Sequence, residues 1–301
     1  MTDEVVHVQE LSRRFGETQA LDNISLTVNA GLVYGLVGAN GQGKTTLIRH
    51  LLGLLRAESG CVRVFGKDPV SQPVEVLQRI GYLSEEREMP GWMRIHELMR
   101  YTAAYHPNWV QADAGDLIKT FGLDPAKKVK DLSKGMRAQV GLIAAVSHRP
   151  DLLLLDEPST GLDAVVRKDI LNAIIRAVAD DGRTAVFSSH LLDEVEQMSD
   201  YVFMIDQGKL VLQGSLDEIR QRYQTLSVRF GSPVDELPGV DGIVSGERLG
   251  NTWKVVCNDG ERITHELRSR NGEVTNARSA SLEEIFVAKV GRDRVLTETS
   301  A

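Results

Sequence analysis

Residues 31–55, GLVYGLVGANGQGKTTLIRHLLGLL, carry the strongest structural signal in this sequence of 301 residues. The apolar stretch Leu32–Val37 predicts a β-strand, and Lys44–Leu55 predicts a helix. Between them, Gly38–Thr45 fits the pattern G-x-x-x-x-G-K-[ST] of a loop that binds nucleotide phosphates. A strand before the loop and a helix after it are the context that this motif requires. The segment therefore predicts a nucleotide site within an α/β fold.

The residue types of this loop suit an anionic ligand. Glycines allow backbone N–H groups to surround phosphate oxygens, and the following helix points its positive end at them. Lys44 would neutralise the β- and γ-phosphates, the Thr45 hydroxyl would bind Mg²⁺, and Thr46 would donate to a phosphate. A glycine-rich turn with a chance lysine is the alternative, and the flanking elements argue against it. The loop residues that we expect to bind nucleotide are Gly38, Asn40, Gly41, Gly43, Lys44, Thr45 and Thr46.

A pair of acidic residues completes the predicted site. Leu152–Leu155 is a run of four leucines, typical of a parallel strand buried on both faces, and Asp156 and Glu157 follow it directly. A Mg²⁺-nucleotide site needs one carboxylate for the metal and one group that activates water. We assign Asp156 to the metal and Glu157 to the water, as general base. A polar strand end without function is the alternative, and the nearby phosphate loop makes it the weaker one.

Strands and helices alternate along most of the chain, which predicts an α/β layer architecture with a central, largely parallel sheet. Helical periodicity dominates residues 86–148, where we expect a helical subdomain. Further strands are predicted at Val5–Gln9, Ile24–Val28, Ile80–Leu83, Thr184–Ser188 and Tyr201–Ile205.

The pattern changes towards the end of the chain. Gly250-Asn251 marks the turn of a predicted hairpin, and Ser281 with Glu284 forms a capping-box pattern before a last helix. We therefore expect a nucleotide-binding domain over residues 1–220 and a small α+β accessory domain over residues 221–301.

Four further stretches stand in a defined order around the acidic pair: Arg14-Phe15-Gly16, Leu132–Arg137, Ser159–Asp163 and Ser188–His190. Together with the phosphate loop, this order resembles the ATP-binding cassette (ABC) family, over residues 1–220. Phe15 matches the aromatic residue that stacks on adenine, and Leu132–Arg137 resembles the signature motif. Ser159–Asp163 resembles the D-loop. His190, at the end of Ser188–His190, resembles the switch histidine.

The resemblance implies a P-loop NTPase cassette and a mechanism. Two cassettes would pair head to tail, with ATP between the phosphate loop of one and Ser133 and Gly135 of the other. Glu157 would polarise water, His190 would contact the γ-phosphate, and Asp163 would connect the two sites across the dimer. The implied catalytic residues are Glu157, His190 and Lys44, and the implied nucleotide contacts outside the loop are Phe15, Ser133, Gly135 and Asp163.

Two places depart from the family pattern. Lys134 and Met136 replace residues of the usual signature LSGGQ, and Lys134 would either add charge near the γ-phosphate or face solvent. Glu85 stands where the family has a glutamine that contacts Mg²⁺ and the membrane partner. We therefore include Glu85 with Thr45 and Asp156 among the metal candidates. It would tighten Mg²⁺ binding or take part in a local ion pair.

Both departures resemble a bacterial exporter-type group whose permeases are separate chains. The chain would then be an ATPase that uses ATP and Mg²⁺ to drive transport, with export as the expected direction. Trp92 and Met93 would face the permease, because aromatic residues and Met are enriched in interface cores. Ordinary packing explains the same two residues equally well. A second ABC subunit, identical or homologous, is the other expected partner.

Composition limits the alternatives. The chain is 42% apolar and 26% charged, which is ordinary for a globular protein, and its net charge of −7 argues against nucleic acid as a partner. Its two cysteines fit a reducing compartment, and no apolar run is long enough to span a membrane. We expect a cytoplasmic protein held peripherally at the inner face of the cell membrane by its permease.

Two other functions stay open at this point. A soluble ABC-type ATPase that acts on nucleic acid or ribosomes is one, although such relatives usually carry two cassettes or a long coiled-coil insertion. A nucleotide-gated regulatory module without turnover is the other, and the presence of Glu157 and His190 argues against it.

Overall fold

The computed structural model describes residues 4–179, 182–231 and 237–298 and divides the chain into two compact units, Met1–Leu212 and Gln213–Ala301. We expected a boundary after residue 220. The two units divide at Leu212, and helix α8 (Leu216–Arg222), which runs directly into strand β10 (Tyr223–Phe230) and packs with it, lies in the second unit. No helix in the described ranges combines the length and apolar character of a membrane-spanning segment.

The first unit contains two sheets. Its strands are β1 (Glu4–Phe15), β2 (Thr18–Asn29), β3 (Val33–Val37), β4 (Ser59–Val64), β5 (Ile80–Leu83), β6 (Leu152–Leu155), β7 (Thr184–Ser189), β8 (Tyr201–Asp206) and the first part of β9 (Lys209–Ser215), since the division at Leu212 falls within that strand. The large sheet has the order β5-β6-β7-β3-β8-β9, and the pairs from β5 to β8 are parallel. This confirms the expected α/β fold. The small antiparallel sheet β2-β1-β4 was not predicted, since β4 alternates only over a few residues.

The helices of this unit cover the large sheet and form a separate cluster. They are α1 (Lys44–Leu51), α2 (Pro73–Leu77), α3 (Ile95–Ala103), α4 (Gln111–Thr120), α5 (Lys134–Val146), α6 (Ala164–Ala179) and α7 (Leu192–Met198). Helix α1 ends before the predicted Leu55 because Gly53 adopts φ 70° and its N–H caps the carbonyl of His50. Helices α3 to α5 share an apolar core that includes Ile95, Leu98 and Ile143.

Met93 belongs to that core, which corrects one of two predicted contact residues. Its side chain is 7% exposed and packs within the α3–α5 cluster, so it has no surface to offer a partner. The preceding residue, Trp92, is 71% exposed. The alternative of ordinary packing therefore holds for Met93.

The second unit is a small α+β domain, as expected. Its sheet has the order β11-β12-β10-β13, built from β11 (Ile243–Leu249), β12 (Thr252–Asn258), β10 and β13 (Gly272–Ser279), with helices α8, α9 (Gly260–Ser269) and α10 (Leu282–Glu298). The predicted hairpin turn at Gly250-Asn251 is confirmed. The predicted capping box is confirmed as well, since Ser281 and Glu284 each accept the backbone N–H of the other.

The parallel sheet brings the functional motifs together. Leu83, Leu155 and Phe187 are aligned in register, and Val37 is aligned with Ser189. The carboxyl ends of these strands therefore meet at one edge. In open α/β sheets, ligands bind at this edge.

Candidate functional site

The phosphate loop, Gly38–Thr46, depends on glycine where the chain passes close to its neighbours. Gly43 precedes helix α1 with φ 106°, and a Cβ atom there would lie 2.4 Å from the carbonyl oxygen of Ala20. At Gly38 a Cβ atom would lie 2.4 Å from the carbonyl oxygen of Ile205. No other residue fits either position without moving backbone, so these glycines let the loop curl over the helix N-terminus.

Lys44 begins helix α1 and holds its charge inside the loop. Its Nζ donates to the carbonyl oxygens of Gly38, at 2.6 Å, and Ala39, at 3.2 Å. The same atom lies 3.1 Å from Oε1 of Glu157. The side chain is 5% exposed, so the carboxylate compensates most of the cost of burying the ammonium.

Glu157 is held by groups from three segments. It has φ 48°, an unusual conformation for a glutamate, and its N–H donates to Oγ of Ser188 at 2.8 Å. Oε2 accepts from the hydroxyl of Thr160 at 2.7 Å and lies 2.8 Å from Nδ1 of His190. Hydrogen bonds thus hold Oε2, and the ion pair with Lys44 lies at Oε1.

These contacts control the charge of Glu157. Burial on its own raises the pKa of this carboxyl, but the hydrogen bond from Thr160, the charge of Lys44 and the hydrogen bond from His190 outweigh burial. The net result is a pKa below the ordinary value. Glu157 is therefore ionised at neutral pH and can accept a proton.

Asp156 offers the free oxygen that a metal ion would need. Its side chain is buried, and Oδ1 accepts from the Ser188 hydroxyl at 2.7 Å. Oδ2 has no hydrogen-bond partner within the described residues. A buried carboxylate oxygen left without a donor is costly, and a hard cation such as Mg²⁺ would satisfy it. The chemistry of this oxygen fits Mg²⁺, and the Thr45 hydroxyl and the Glu85 carboxylate stay the other predicted ligands.

A cleft of about 260 Å³ opens beside these groups. Most of its lining is polar or charged, as a phosphate ligand requires. It is lined by Asn40, Gly41, Gly43, Lys44, Thr45, Thr46, Glu85 and Glu157. His190 contacts the cleft indirectly, through its 2.8 Å contact with Glu157.

The other predicted residues do not line this cleft. Phe15 is 45% exposed, and the guanidinium of Arg13 lies 4.8 Å from its ring centre. Ser133 is exposed and caps helix α5, since its Oγ accepts the N–H of Met136 at 3.2 Å. Gly135 lies in the first turn of the same helix, and Asp163 caps helix α6 through its Oδ1.

Lys134 is exposed, yet it does not point freely into solvent. A Cβ atom on Gly161 would lie 2.1 Å from its Nζ, so the ammonium rests against the Ser159–Asp163 segment of the same chain. The two positions predicted for Lys134, near the γ-phosphate or facing solvent, do not include this contact within its own chain.

Sequence reasoning missed three residues that organise the site. Ser188 connects Asp156 to the N–H of Glu157, and Thr160 donates to the Glu157 carboxylate. Arg87 reaches the backbone of the 158–160 segment. Ser188 follows the apolar run Ala185–Phe187 of strand β7, and its polarity at that point was the available signal. The contact of Arg87 crosses between two loops, and that of Thr160 with Glu157 lies within one loop, so neither appears in a periodic pattern.

The chain is similar to ATP-binding proteins of ABC transporters. The family model "ABC transporter" matches residues 21–160. The chain is 36% identical to the ABC transporter ATP-binding protein NatA of Bacillus subtilis, over 75% of this chain and 96% of that protein. It is 38% identical to the daunorubicin/doxorubicin resistance ATP-binding protein DrrA of Streptomyces peucetius, over 71% of this chain and 66% of that protein. Among solved structures, an ATP-binding subunit of an ABC transporter matches with TM-score 0.66 and 26% identity, over 72% of this chain and 92% of that one.

Proposed function

The chain belongs to the ABC transporter family as an ATP-binding subunit, and on this basis we propose that it hydrolyses ATP with Glu157 as general base and thereby drives export through a separate permease. The observation that carries the proposal is the buried cluster at the cleft. Lys44, a phosphate-binding cation, lies 3.1 Å from the carboxylate that would activate water.

The residues divide the work of the reaction. Backbone N–H groups of the Gly38–Thr46 loop and Lys44 hold the β- and γ-phosphates. Glu157 takes a proton from the attacking water, whose oxygen bonds to the γ-phosphorus as the bond to ADP breaks. His190 contacts Oε2 of Glu157 through Nδ1, and its other ring nitrogen would contact the γ-phosphate.

Mg²⁺ would be held by Thr45 and Asp156, with Glu85 at the edge of the cleft. When bound, Mg²⁺ neutralises charge on the β- and γ-phosphate oxygens. Ser188 keeps Oδ2 of Asp156 available by occupying Oδ1.

The cassette works as one half of a head-to-tail dimer. Ser133 and Gly135 are at the N-terminus of helix α5, outside the cleft of their own chain, and are accessible to a second one. A helix N-terminus attracts anions, so this surface suits the γ-phosphate bound by a partner. Phe15 would stack on the adenine, and Asp163 would contact the partner chain.

The permease supplies the transport pathway, and the cassette is cytoplasmic, at the inner face of the membrane. Trp92 would contact the permease, since its side chain is 71% exposed. Export is supported by the resistance function in the name of the relative DrrA.

A pull-down tests the proposal. Tagged Glu157→Gln protein is incubated with ATP and detergent-solubilised native membranes, and co-purifying proteins are identified by mass spectrometry. We expect a stoichiometric polytopic membrane protein. Ribosomal proteins or nucleic acid, with no membrane protein, would instead support a soluble ATPase. The parent chain is assayed for ATP hydrolysis alone and with the captured partner, and no turnover in either case would support a regulatory module.

A further inference from the structure

Arg87 is a buried cation without a buried anion. It follows Glu85 in the turn after strand β5, with φ 51°, and its side chain is 5% exposed. Within the described residues it has no carboxylate at ion-pair distance, so neither Glu85 nor Glu86 pairs with it. Burial lowers the pKa of Arg87, and the charge of Glu85 offsets this in part.

The guanidinium joins two loops. Its Nη2 donates to the carbonyl oxygens of Pro158 and Thr160, both at 3.1 Å. The backbone N–H of Arg87 donates back to Ser84, so the turn that carries the side chain is closed. The loop after β5 is thereby tied to the loop after β6.

Stability alone does not explain this arrangement. Nε and Nη1 of Arg87 have no hydrogen-bond partner within the described residues. A buried charge with unpaired donors costs free energy, and an apolar side chain of similar length would fill the same space without that cost. The unpaired nitrogens of Arg87 therefore need a functional explanation.

Thr160 connects Arg87 to the catalytic cleft. Arg87 holds the carbonyl of Thr160, and the Thr160 hydroxyl donates to Oε2 of Glu157 at 2.7 Å. We propose that Arg87 is a positioning residue: it holds the Pro158–Thr160 segment so that Thr160 keeps the Glu157 carboxylate aimed at the attacking water. The inference rests on the proposed function because it assigns Arg87 a role in the same reaction.

A double-mutant cycle tests this role. Arg87→Met and Thr160→Val are each expected to lower kcat about 10-fold with less than about a threefold change in KM for ATP. The double variant is expected to lose no more than either single variant, because both act through one contact chain. Arg87→Lys should fall between the parent and Arg87→Met. Arg100→Met, at an exposed position of α3, is the matched control and should keep parent turnover.

A second measurement does not depend on turnover. Hydrogen exchange of the nucleotide-free chain is followed in peptides covering residues 156–163. Arg87→Met is expected to speed exchange there, since the N–H groups of Thr160 and Leu162 are bonded only within this turn. Arg100→Met should leave exchange unchanged. If Arg87→Met fails to fold, Arg87→Lys takes its place in both measurements.

Three results would overturn the inference. One is a kcat equal to that of the parent in a folded Arg87 variant. Another is a decrease in kcat in the double variant that equals the product of the two single decreases. The third is unchanged exchange over residues 156–163. If the parent itself hydrolyses no ATP, the proposed function fails, and hydrogen exchange alone decides whether Arg87 holds the segment.

Discussion

Nζ of Lys44 lies 3.1 Å from Oε1 of Glu157, and the two side chains are 5% and 4% exposed. The predicted phosphate-binding cation and the proposed base thus neutralise each other inside the site. An arriving γ-phosphate competes with Glu157 for the same ammonium, while the carboxylate repels it. Binding and catalysis therefore impose opposite demands on this pair.

Replacing Glu157 with Gln should separate those demands. The amide removes the proton acceptor, so kcat should fall by about 10²- to 10⁴-fold. It also removes the charge that competes for Lys44, so ATP should bind more tightly. The variant should therefore accumulate as an ATP-bound dimer. Turnover, ATP titration and size-exclusion chromatography measure these effects. Glu10→Gln, on an exposed position of β1, is the control. Hydrolysis at the parent rate by Glu157→Gln would show that the base is another residue.

Asp156→Asn should lower the affinity of the site for Mg²⁺. The substitution keeps the size of the side chain and an oxygen for the Ser188 hydroxyl, but removes the negative charge next to the unpaired Oδ2. We expect a Mg²⁺ titration of ATPase activity to require at least about tenfold more metal. Chelation with EDTA should abolish turnover of the parent. An unchanged Mg²⁺ requirement in Asp156→Asn would assign the metal to other ligands.

Mixing two inactive variants tests the head-to-tail dimer. Lys44→Ala impairs the phosphate loop, and Ser133→Arg blocks the surface offered to the partner. In a mixed dimer of identical chains one site keeps both halves, so random pairing should restore up to about a quarter of parent turnover. Ser133→Arg also loses a helix cap, at about 1 kcal/mol, which thermal unfolding will measure.

Each variant alone should stay inactive in this assay. If mixing restores nothing although mixed dimers form, the two halves of a site come from one chain.

Glu284 should make the second unit sensitive to acid. Arg278 donates to both of its oxygens, at 2.6 and 2.8 Å, Lys254 lies 2.9 Å away, and the Thr225 hydroxyl donates at 2.9 Å. Burial raises the pKa of Glu284, but these partners together lower it from 4.5 to about 2. Because the folded-state pKa lies below the unfolded one, the stabilisation is present above pH 4.5 and is lost as the pH falls towards 2.

We expect this contribution to be on the order of 1–2 kcal/mol, because Arg278 and Lys254 are partly exposed and solvent screens them. Hydrogen exchange in peptides of β10 and β12, measured on the whole chain between pH 5 and 2.5, reports it. After correction for the intrinsic exchange rate at each pH, Glu284→Gln should be less protected than the parent at pH 5, and its protection should not fall further towards pH 2.5. Glu283→Gln, at the exposed neighbouring position, should behave like the parent; an identical response of both variants would refute the assignment.

Local patterns in the sequence determined the elements. Alternation and apolar runs predicted every strand of the large sheet except β9. The spacing of Gly250-Asn251 and of Ser281 with Glu284 predicted a turn and a cap that the structure confirms. Each motif consists of a few adjacent residues and can be recognised without a structure. The order of these motifs along the chain therefore indicated the family. The roles of the individual site residues stay predictions.

Tertiary structure alone decided which side chains meet. Parallel register places the ends of β5, β6, β7 and β3 at one edge, and only there do Lys44, Glu157 and His190 come within contact. The burial of Met93, the contact of Lys134 with Gly161 and the reach of Arg87 across two loops follow from packing between segments distant in sequence. Periodicity reports which face of one element is apolar. It carries no information on which neighbour a long polar side chain will reach once that element is packed.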